Sequence, residues 1–360
     1  MLIFLSIFIA IIIFLFFYIK AEIGKYPDAN RIEQFKKLPY FRNNHFVNIY
    51  KPIDGYKNSN IREDMQKCSR IKILMRLLFP TTNHEIRKAY LNKKSFTDIT
   101  NKSAVYWFGH AMVLMELSGK RILIDPVFGR ASPVPFMVNR YTSAPIKRNE
   151  LPKIDYVLIT HNHYDHLERA TVKYLYKKQN VHFIVPLGVL DALIGWGVKP
   201  GNITELGWED DVKLDDKIKI TAEPAIHFSG RWLTHQGTSL WNSYVIQNDM
   251  DNIFCAGDGT YGEHIDMIAK KYKTFTLAMI ECDAWNVRWP YFHTFTRESV
   301  EMIKKLNADF LLPVHWGIFN LGMHEFYTSI QMLQNEMMDG GLKHKLLLPA
   351  MGERIILSQN

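Results

Sequence analysis

The sequence predicts a layered α/β domain carried behind one membrane-crossing helix, and three observations predict it. An apolar run fills Leu2 to Ile19. From about residue 101 onward, short strand-like runs alternate with helical stretches. Three histidines and an aspartate crowd into six residues between one such run and the next helix, at His161, His163, Asp165 and His166.

The chain has 360 residues, 47% hydrophobic and 22% charged, an ordinary balance for a folded domain once the apolar terminus is set aside. That excludes disorder on a large scale. Lys and Arg outnumber Asp and Glu by 44 to 36, a formal charge of +8, which favours an anionic partner without choosing among lipid headgroups, nucleic acid and phosphorylated metabolites. Cys68, Cys255 and Cys282 are few, odd in number and far apart, so no disulfide framework is expected. Cys255 sits in an apolar run and reads as a core residue.

Only Ser6 and Tyr18 interrupt the first run, which as a helix would span about 27 Å, enough to cross a bilayer. No Lys or Arg precedes it, and Tyr18-Ile19-Lys20-Ala21 is a poor cleavage site, so the reading is an uncleaved anchor over residues 1–19. Lys20, Lys25, Arg31, Lys36 and Lys37 follow the run. The positive-inside rule therefore places the body on the cytoplasmic side of a single-pass protein.

Residues 20–100 read as a polar tether or surface-hugging arm with a helical leader. Pro27, Pro39, Pro52 and Asp54-Gly55 break the early part, which shows no chemistry of its own, and Ile71 to Leu78 has the stripe of an amphipathic helix. The main folded domain is expected over residues 101–360. Its strand-like runs begin with Ala104 to Phe108, Met112 to Leu117, Arg121 to Ile124 and Tyr156 to Thr160, with Ser118-Gly119-Lys120 as a hairpin. Helical stretches then precede strands three times: Glu168 to Lys178 before His182 to Val185, Glu263 to Lys271 before Thr276 to Ile280, and Thr296 to Leu306 before Phe310 to Leu312.

A loop between strand and helix can aim several side chains at one point, and imidazoles with a carboxylate suit zinc. Further candidates each lie just past an apolar run: His227, Asp258 and His315. The His161 to His166 stretch meets the HxHxDH signature, and on it the sequence resembles the metallo-β-lactamase superfamily. Between about Tyr106 and Leu321 it is similar to the N-acylphosphatidylethanolamine-hydrolysing phospholipase D branch. Phe108-Gly109-His110-Ala111, Ile124-Asp125-Pro126-Val127-Phe128, Ala131-Ser132-Pro133, Val185-Pro186-Leu187-Gly188, Ala256-Gly257-Asp258 and Val314-His315-Trp316-Gly317 carry that likeness.

The resemblance implies an αββα sandwich binding two zinc ions. His161, His163 and His227 would hold one ion, Asp165, His166 and His315 the other, and Asp258 would bridge both. It implies catalytic roles for Asp165 and Asp258 and a phosphate-orienting role for His293, with His110 and Asp125 supporting the ligands. It departs from the family at Gly257-Asp258-Gly259-Thr260, where Gly-Asp-Thr-Gly is common, and at Cys282-Asp283-Ala284-Trp285, which brings a carboxylate near the expected pocket. The aromatic cluster Trp285, Trp289, Tyr291 and Phe292 is core packing by default, or a wall for acyl chains.

The function expected is a phospholipase D-type phosphodiesterase acting on N-acylphosphatidylethanolamine, with phospholipid and membrane as partners. The alternatives are a zinc-dependent lactonase or other metabolite hydrolase, and a non-catalytic membrane scaffold of the same fold. No nucleic-acid partner is expected, because no basic and aromatic single-strand platform is evident. A homo-oligomer is compatible with the sequence.

Overall fold

The computed structural model describes residues 2–53, 102–232 and 234–357, together with positions 75, 86–89, 91, 96 and 99. The amphipathic stretch expected at Ile71 to Leu78 and Cys68 lie outside these, apart from Met75. Helix α1 (Leu2–Ile23) continues past the apolar run through Lys20, Ala21, Glu22 and Ile23. Its window Ile3–Ile23 is long and apolar enough to cross a membrane, and none of it is buried in the protein.

The arm that follows lies against the body. Helix α2 (Ala29–Phe35) starts at Asp28, whose side chain accepts from the Arg31 N–H. Strands β1 (Phe41–Arg42) and β2 (His45–Phe46) form a small hairpin. Phe35, Tyr40, Phe41 and Phe46 are buried with Trp208, Leu240 and Trp241 of the domain. Burying rings of this size contributes about 1.5–3 kcal/mol each.

The domain begins with β3 (Ala104–Trp107), β4 (Val113–Leu117), β5 (Lys120–Ile124), β6 (Tyr156–Leu158), β7 (His182–Pro186) and β8 (Ile203–Leu206), neighbours in that order. Ser118 and Gly119 turn β4 into β5 with φ of 46° and 80°, the positive values a tight hairpin requires. The second sheet holds β9 (Asp211–Leu214), β10 (Ile218–Glu223), β11 (Ser243–Gln247), β12 (Asn252–Cys255), β13 (Phe275–Glu281) and β14 (Ala308–Val314). A final strand, β15 (Arg354–Ile356), joins the first sheet beside β3.

Alternation along the strands builds the layers. Val105, Trp107, Val113, Met115, Leu117, Ile122 and Ile124 of the first sheet meet Ile220, Ala222, Tyr244, Ile246, Ile253, Leu277 and Met279 of the second. The opposite face of the first sheet packs on α3 (Arg169–Gln179) and α4 (Leu190–Gly195) through Val172, Leu175, Ala192 and Leu193. The outer face of the second sheet packs on α5 (Glu263–Tyr272), α6 (Thr296–Leu306) and α7 (Thr328–Asp339) through Ile265, Ile268, Val300, Ile303 and Leu333. The result is the expected αββα sandwich.

Strand direction creates the site. β5 runs parallel to β6, and β3 is brought parallel to both by two antiparallel pairings through β4. In the other sheet β12, β13 and β14 are parallel, and β10 is brought parallel to them through β11. Segments leaving the C-terminal ends of β3, β5 and β6 therefore emerge along one edge of the first sheet, and those leaving β10, β12, β13 and β14 along one edge of the second.

Candidate metal centre

Every expected site residue but one sits directly beyond such a strand end. His110 follows β3, Asp125 follows β5, the His161 to His166 loop follows β6, His227 follows β10, Asp258 follows β12, and His315 follows β14. His293 alone comes from the loop between β13 and α6. Three of these turns are tight. His110, Asp125 and His315 have φ of 54°, 42° and 71°, a left-handed conformation that non-glycine residues hold only when surrounding contacts over-determine it. Gly257 turns Asp258 inward with φ of 63°, and a Cβ there would lie 2.9 Å from the Asn242 carbonyl and 3.0 Å from Thr160 Cβ.

The structure brings all seven proposed ligands together in two overlapping groups. In one, His161 Nε2 is 2.8 Å from His163 Nδ1, which is 3.3 Å from His227 Nε2. In the other, Asp258 Oδ2 lies 3.1 Å from His166 Nε2 and 3.0 Å from His315 Nε2, while Asp165 Oδ2 lies 3.4 and 3.3 Å from the same two nitrogens. Asp258 Oδ2 also sits 3.8 Å from His161 Nε2 and 3.9 Å from His227 Nε2, between the groups. Tetrahedral ligands at about 2.0–2.2 Å from an ion stand about 3.3–3.6 Å apart; three of these spacings fall in that range and the other five lie within about 0.5 Å of it. His166 Nε2, His315 Nε2 and Asp258 Oδ1 are buried with no hydrogen bond of proper geometry. Orphaned donors and acceptors of this kind are what a metal would satisfy.

Supporting contacts fix which atom each ligand presents. Asp125 accepts from the Thr160 N–H (2.8 Å), the Thr160 hydroxyl (2.6 Å) and His166 Nδ1 (2.7 Å), which leaves His166 Nε2 facing the site. His227 Nδ1 donates to the Phe292 carbonyl at 2.8 Å. His110 Nε2 donates to Asp165 Oδ2 at 2.9 Å, and its own carbonyl accepts the His315 N–H at 3.1 Å. Burial, with the nearby His315 imidazole, holds His110 down at about 3, so it stays a neutral donor. Burial likewise holds His161 and His227 well below the ordinary histidine range, in the neutral form a metal requires. Burial opposes ionisation of Asp165 and Asp258, yet the surrounding imidazoles hold both carboxyls well below the usual range.

Glu281, which ends β13, was not singled out by the sequence reading. It accepts from His293 Nδ1 (2.8 Å), the Gly259 N–H (2.7 Å) and the Thr294 N–H (3.2 Å), and stands 3.8 Å from His315 Nδ1. Burial pushes its carboxyl up, against the pull of His293. The pattern that selected Asp258, an acidic residue closing an apolar strand run, was available here too. Asn48 of the arm was passed over as well, and no local signal marks it. Its amide donates to the His227 carbonyl at 2.9 Å and accepts the His227 N–H at 3.2 Å.

Both family departures have a structural account. A Cβ at Gly259 would come within 2.9 Å of the Ile226 carbonyl, so glycine is required after Asp258 in this chain. Asp283 is paired with His324 at 2.9 Å and accepts from the Ser329 hydroxyl at 3.0 Å. It does not line the pocket over the metal cluster. That pocket, of about 290 Å³, is lined by His163, Asp165, Asp258 and His293 on its polar side and by Phe228, Ala284, Trp289, Phe292 and Leu321 on its apolar side. Of the aromatic cluster, Trp289 and Phe292 line it, whereas Trp285 is core, stacked on Phe295 and His324.

Residues 120–316 match the family model described as a beta-lactamase superfamily domain. An uncharacterized protein of Mycobacterium tuberculosis is 35% identical over 238 residues, 65% of this chain and 63% of that protein, so the match spans under two thirds of the relative's own length. The N-acyl-phosphatidylethanolamine-hydrolyzing phospholipase D 1 of Caenorhabditis elegans is 31% identical over 67% of this chain and 72% of its own. A solved metallo hydrolase from Ignicoccus hospitalis shares the fold with a TM-score of 0.55 at 18% identity, covering 72% of this chain and all of that one.

Proposed function

We propose, from the premise that this chain belongs to the metallo-β-lactamase superfamily, that it is a membrane-anchored dinuclear zinc hydrolase cleaving N-acylphosphatidylethanolamine to N-acylethanolamine and phosphatidate. The observation that carries the reading is the pocket itself. One wall is a cluster of imidazoles and carboxylates and the other is aromatic and aliphatic, which matches an amphiphile with a phosphodiester at one end and chains at the other. The worm relative named for this reaction, the apolar helix α1 and the charge of +8 support the same substrate class.

In this reading His161, His163 and His227 would hold one zinc, Asp165, His166 and His315 would hold the other, and Asp258 would serve both. Bound zinc would supply a water-derived nucleophile near neutral pH and neutralise charge on an attacked phosphate. The remaining work falls to the chain. Asp125, His110 and the Phe292 carbonyl set the tautomer and direction of the ligands they touch. Glu281 accepts from His293 Nδ1, which leaves Nε2 of that pocket-lining ring to accept a hydrogen bond as the neutral imidazole, or to donate to a phosphate oxygen as the imidazolium. Phe228, Trp289 and Phe292 give the chains an apolar surface and keep bulk water from the polar wall. Residues 1–19 act as the anchor, residues 20–100 as the arm and leader, and residues 101–360 as the hydrolase domain on the cytoplasmic side.

The test is hydrolysis by the zinc-loaded full chain in water enriched with heavy oxygen. Attack at phosphorus places the label in phosphatidate and leaves N-acylethanolamine unlabelled. Label in the alcohol would rule out attack at phosphorus, and rapid opening of a lactone panel with no lipid turnover would establish a metabolite hydrolase instead.

A further inference from the structure

The strongest unassigned feature is the buried guanidinium of Arg231, which bonds in two directions at once. Its Nη1 donates to the carbonyls of Asn162 and Leu167, each at 2.8 Å. Its Nε and Nη2 donate to the carbonyl of Glu22 at 3.2 and 2.8 Å. Asn162 and Leu167 bracket His163, Asp165 and His166, whereas Glu22 lies in the last turn of α1.

The last carbonyls of a helix have no amide of the next turn to accept from, and they carry the negative end of the helix dipole. Here the body supplies the partners. Arg231 caps Glu22, Trp196 Nε1 donates to the Ala21 carbonyl at 2.9 Å, and Arg169 pairs with the Glu22 carboxylate at 3.1 Å. On the other side the metal loop is fastened to the same short segment. The Tyr164 ring lies 3.9 Å from the Arg231 guanidinium carbon, its hydroxyl donates to the Arg231 carbonyl at 2.8 Å, and Asn162 Oδ1 accepts the Gly230 N–H at 2.8 Å.

We propose that Arg231 is a positioning residue that locks the end of the membrane helix to the metal loop, so that seating of α1 on the body sets how firmly the zinc ligands are held. The helix is then part of the site's framework as well as a tether. Withdrawing α1 would leave Nε and Nη2 as buried charged donors with no acceptor, and the guanidinium would have to move, taking the carbonyls of Asn162 and Leu167 with it. Arginine suits this place because its planar fork offers donors on opposite edges, whereas a lysine ammonium would reach one side only.

The inference rests on the metal-site reading, and the experiment separates the two. The full chain in phosphatidylcholine vesicles is loaded with zinc as wild type, as Arg231→Lys, and with a six-residue Gly-Ser insertion between Ile23 and Gly24 that leaves every body residue in place. Zinc loss to excess chelator and amide exchange over residues 161–168 are followed. Both variants should lose zinc about tenfold faster than wild type, the scale seen for contacts that support ligands, with faster exchange in that loop and unchanged exchange in β10 to β14. Should Arg231→Lys fail to fold, the insertion variant decides. Loss and loop exchange within about twofold of wild type in the insertion variant would overturn the proposal, even if Arg231→Lys were impaired, since Arg231 would then brace the loop alone. If wild type itself holds no zinc, the metal reading fails, and loop exchange in the insertion variant still decides the lock.

Discussion

Replacing Asp125 by asparagine should remove one metal position while leaving the fold in place. Asp125 accepts three buried donors, the Thr160 N–H, the Thr160 hydroxyl and His166 Nδ1–H. Alanine would orphan all three at about 1–3 kcal/mol each, a sum of about 3–9 kcal/mol that rivals the whole stability of a domain. Asparagine is isosteric, and its effect turns on where the amide nitrogen goes. At the Oδ1 position it would face the Thr160 N–H, a backbone donor that cannot turn away. At the Oδ2 position it faces a hydroxyl that can rotate and an imidazole that can change tautomer, so this orientation is preferred. His166 then accepts at Nδ1 and carries its proton on Nε2, the nitrogen directed at Asp165 and Asp258. A protonated Nε2 cannot ligate. The expected loss in affinity at that position is about 10- to 100-fold, or about 1.4–2.7 kcal/mol. Elemental analysis and chelator titration of the purified full chain measure it, with zinc falling from two towards one per chain. Wild-type stoichiometry and chelator resistance in Asp125→Asn would refute the tautomer argument.

Three further outcomes are expected. Asp258→Ala should empty both positions together, because Oδ2 stands within 3.9 Å of ligand nitrogens in both groups; undiminished zinc content would remove the bridging role. A reporter fused after Asn360 should be active only in the cytoplasm, and activity outside would reverse the assigned orientation. Burial lowers His264, which is in none of the ligand groups, from 6.5 to about 3. Between those values the unfolded chain binds a proton that the folded one refuses, so its contribution is whole above about pH 6.5 and declines as pH falls towards 3, by about 1.4 kcal/mol per pH unit. Urea unfolding of His264→Leu should accordingly depend less steeply on pH than wild type between pH 7 and 5, and equal slopes would disprove the assignment.

Much of this protein is legible in order along the chain because the underlying physics is local. The short apolar run Val113 to Leu117, closed by the turn residues Ser118 and Gly119, marks a strand whichever sheet receives it, and the 3.6-residue period marks α6 at Thr296–Leu306 with its stop at the left-handed Asn307. The run of α1 is long and apolar enough to cross a membrane, and that much is read from length and composition alone. His161, His163, Asp165 and His166 declare a metal loop by spacing, because one loop suffices to converge them. His227, Asp258 and His315 could be matched to the set through resemblance, each being a strand-end residue.

Tertiary structure alone decided what holds those ligands in place. Asn48 meets His227 across a separation of 179 residues, and Arg231 meets Glu22 across 209. Nothing near Asn48 or Arg231 distinguishes them from the solvated asparagines and arginines of any surface. Asp283 stands beside the metal segments in sequence yet is turned to His324 and Ser329, whereas Glu281, two residues earlier, faces His293. Successive residues of a strand point to opposite faces, but Asp283 lies beyond the end of β13, where that alternation no longer applies. Its direction is set by the elements packed around it. Ligand spacing is written into one segment of backbone, whereas the support of a ligand is a contact between segments that only the packed fold brings together.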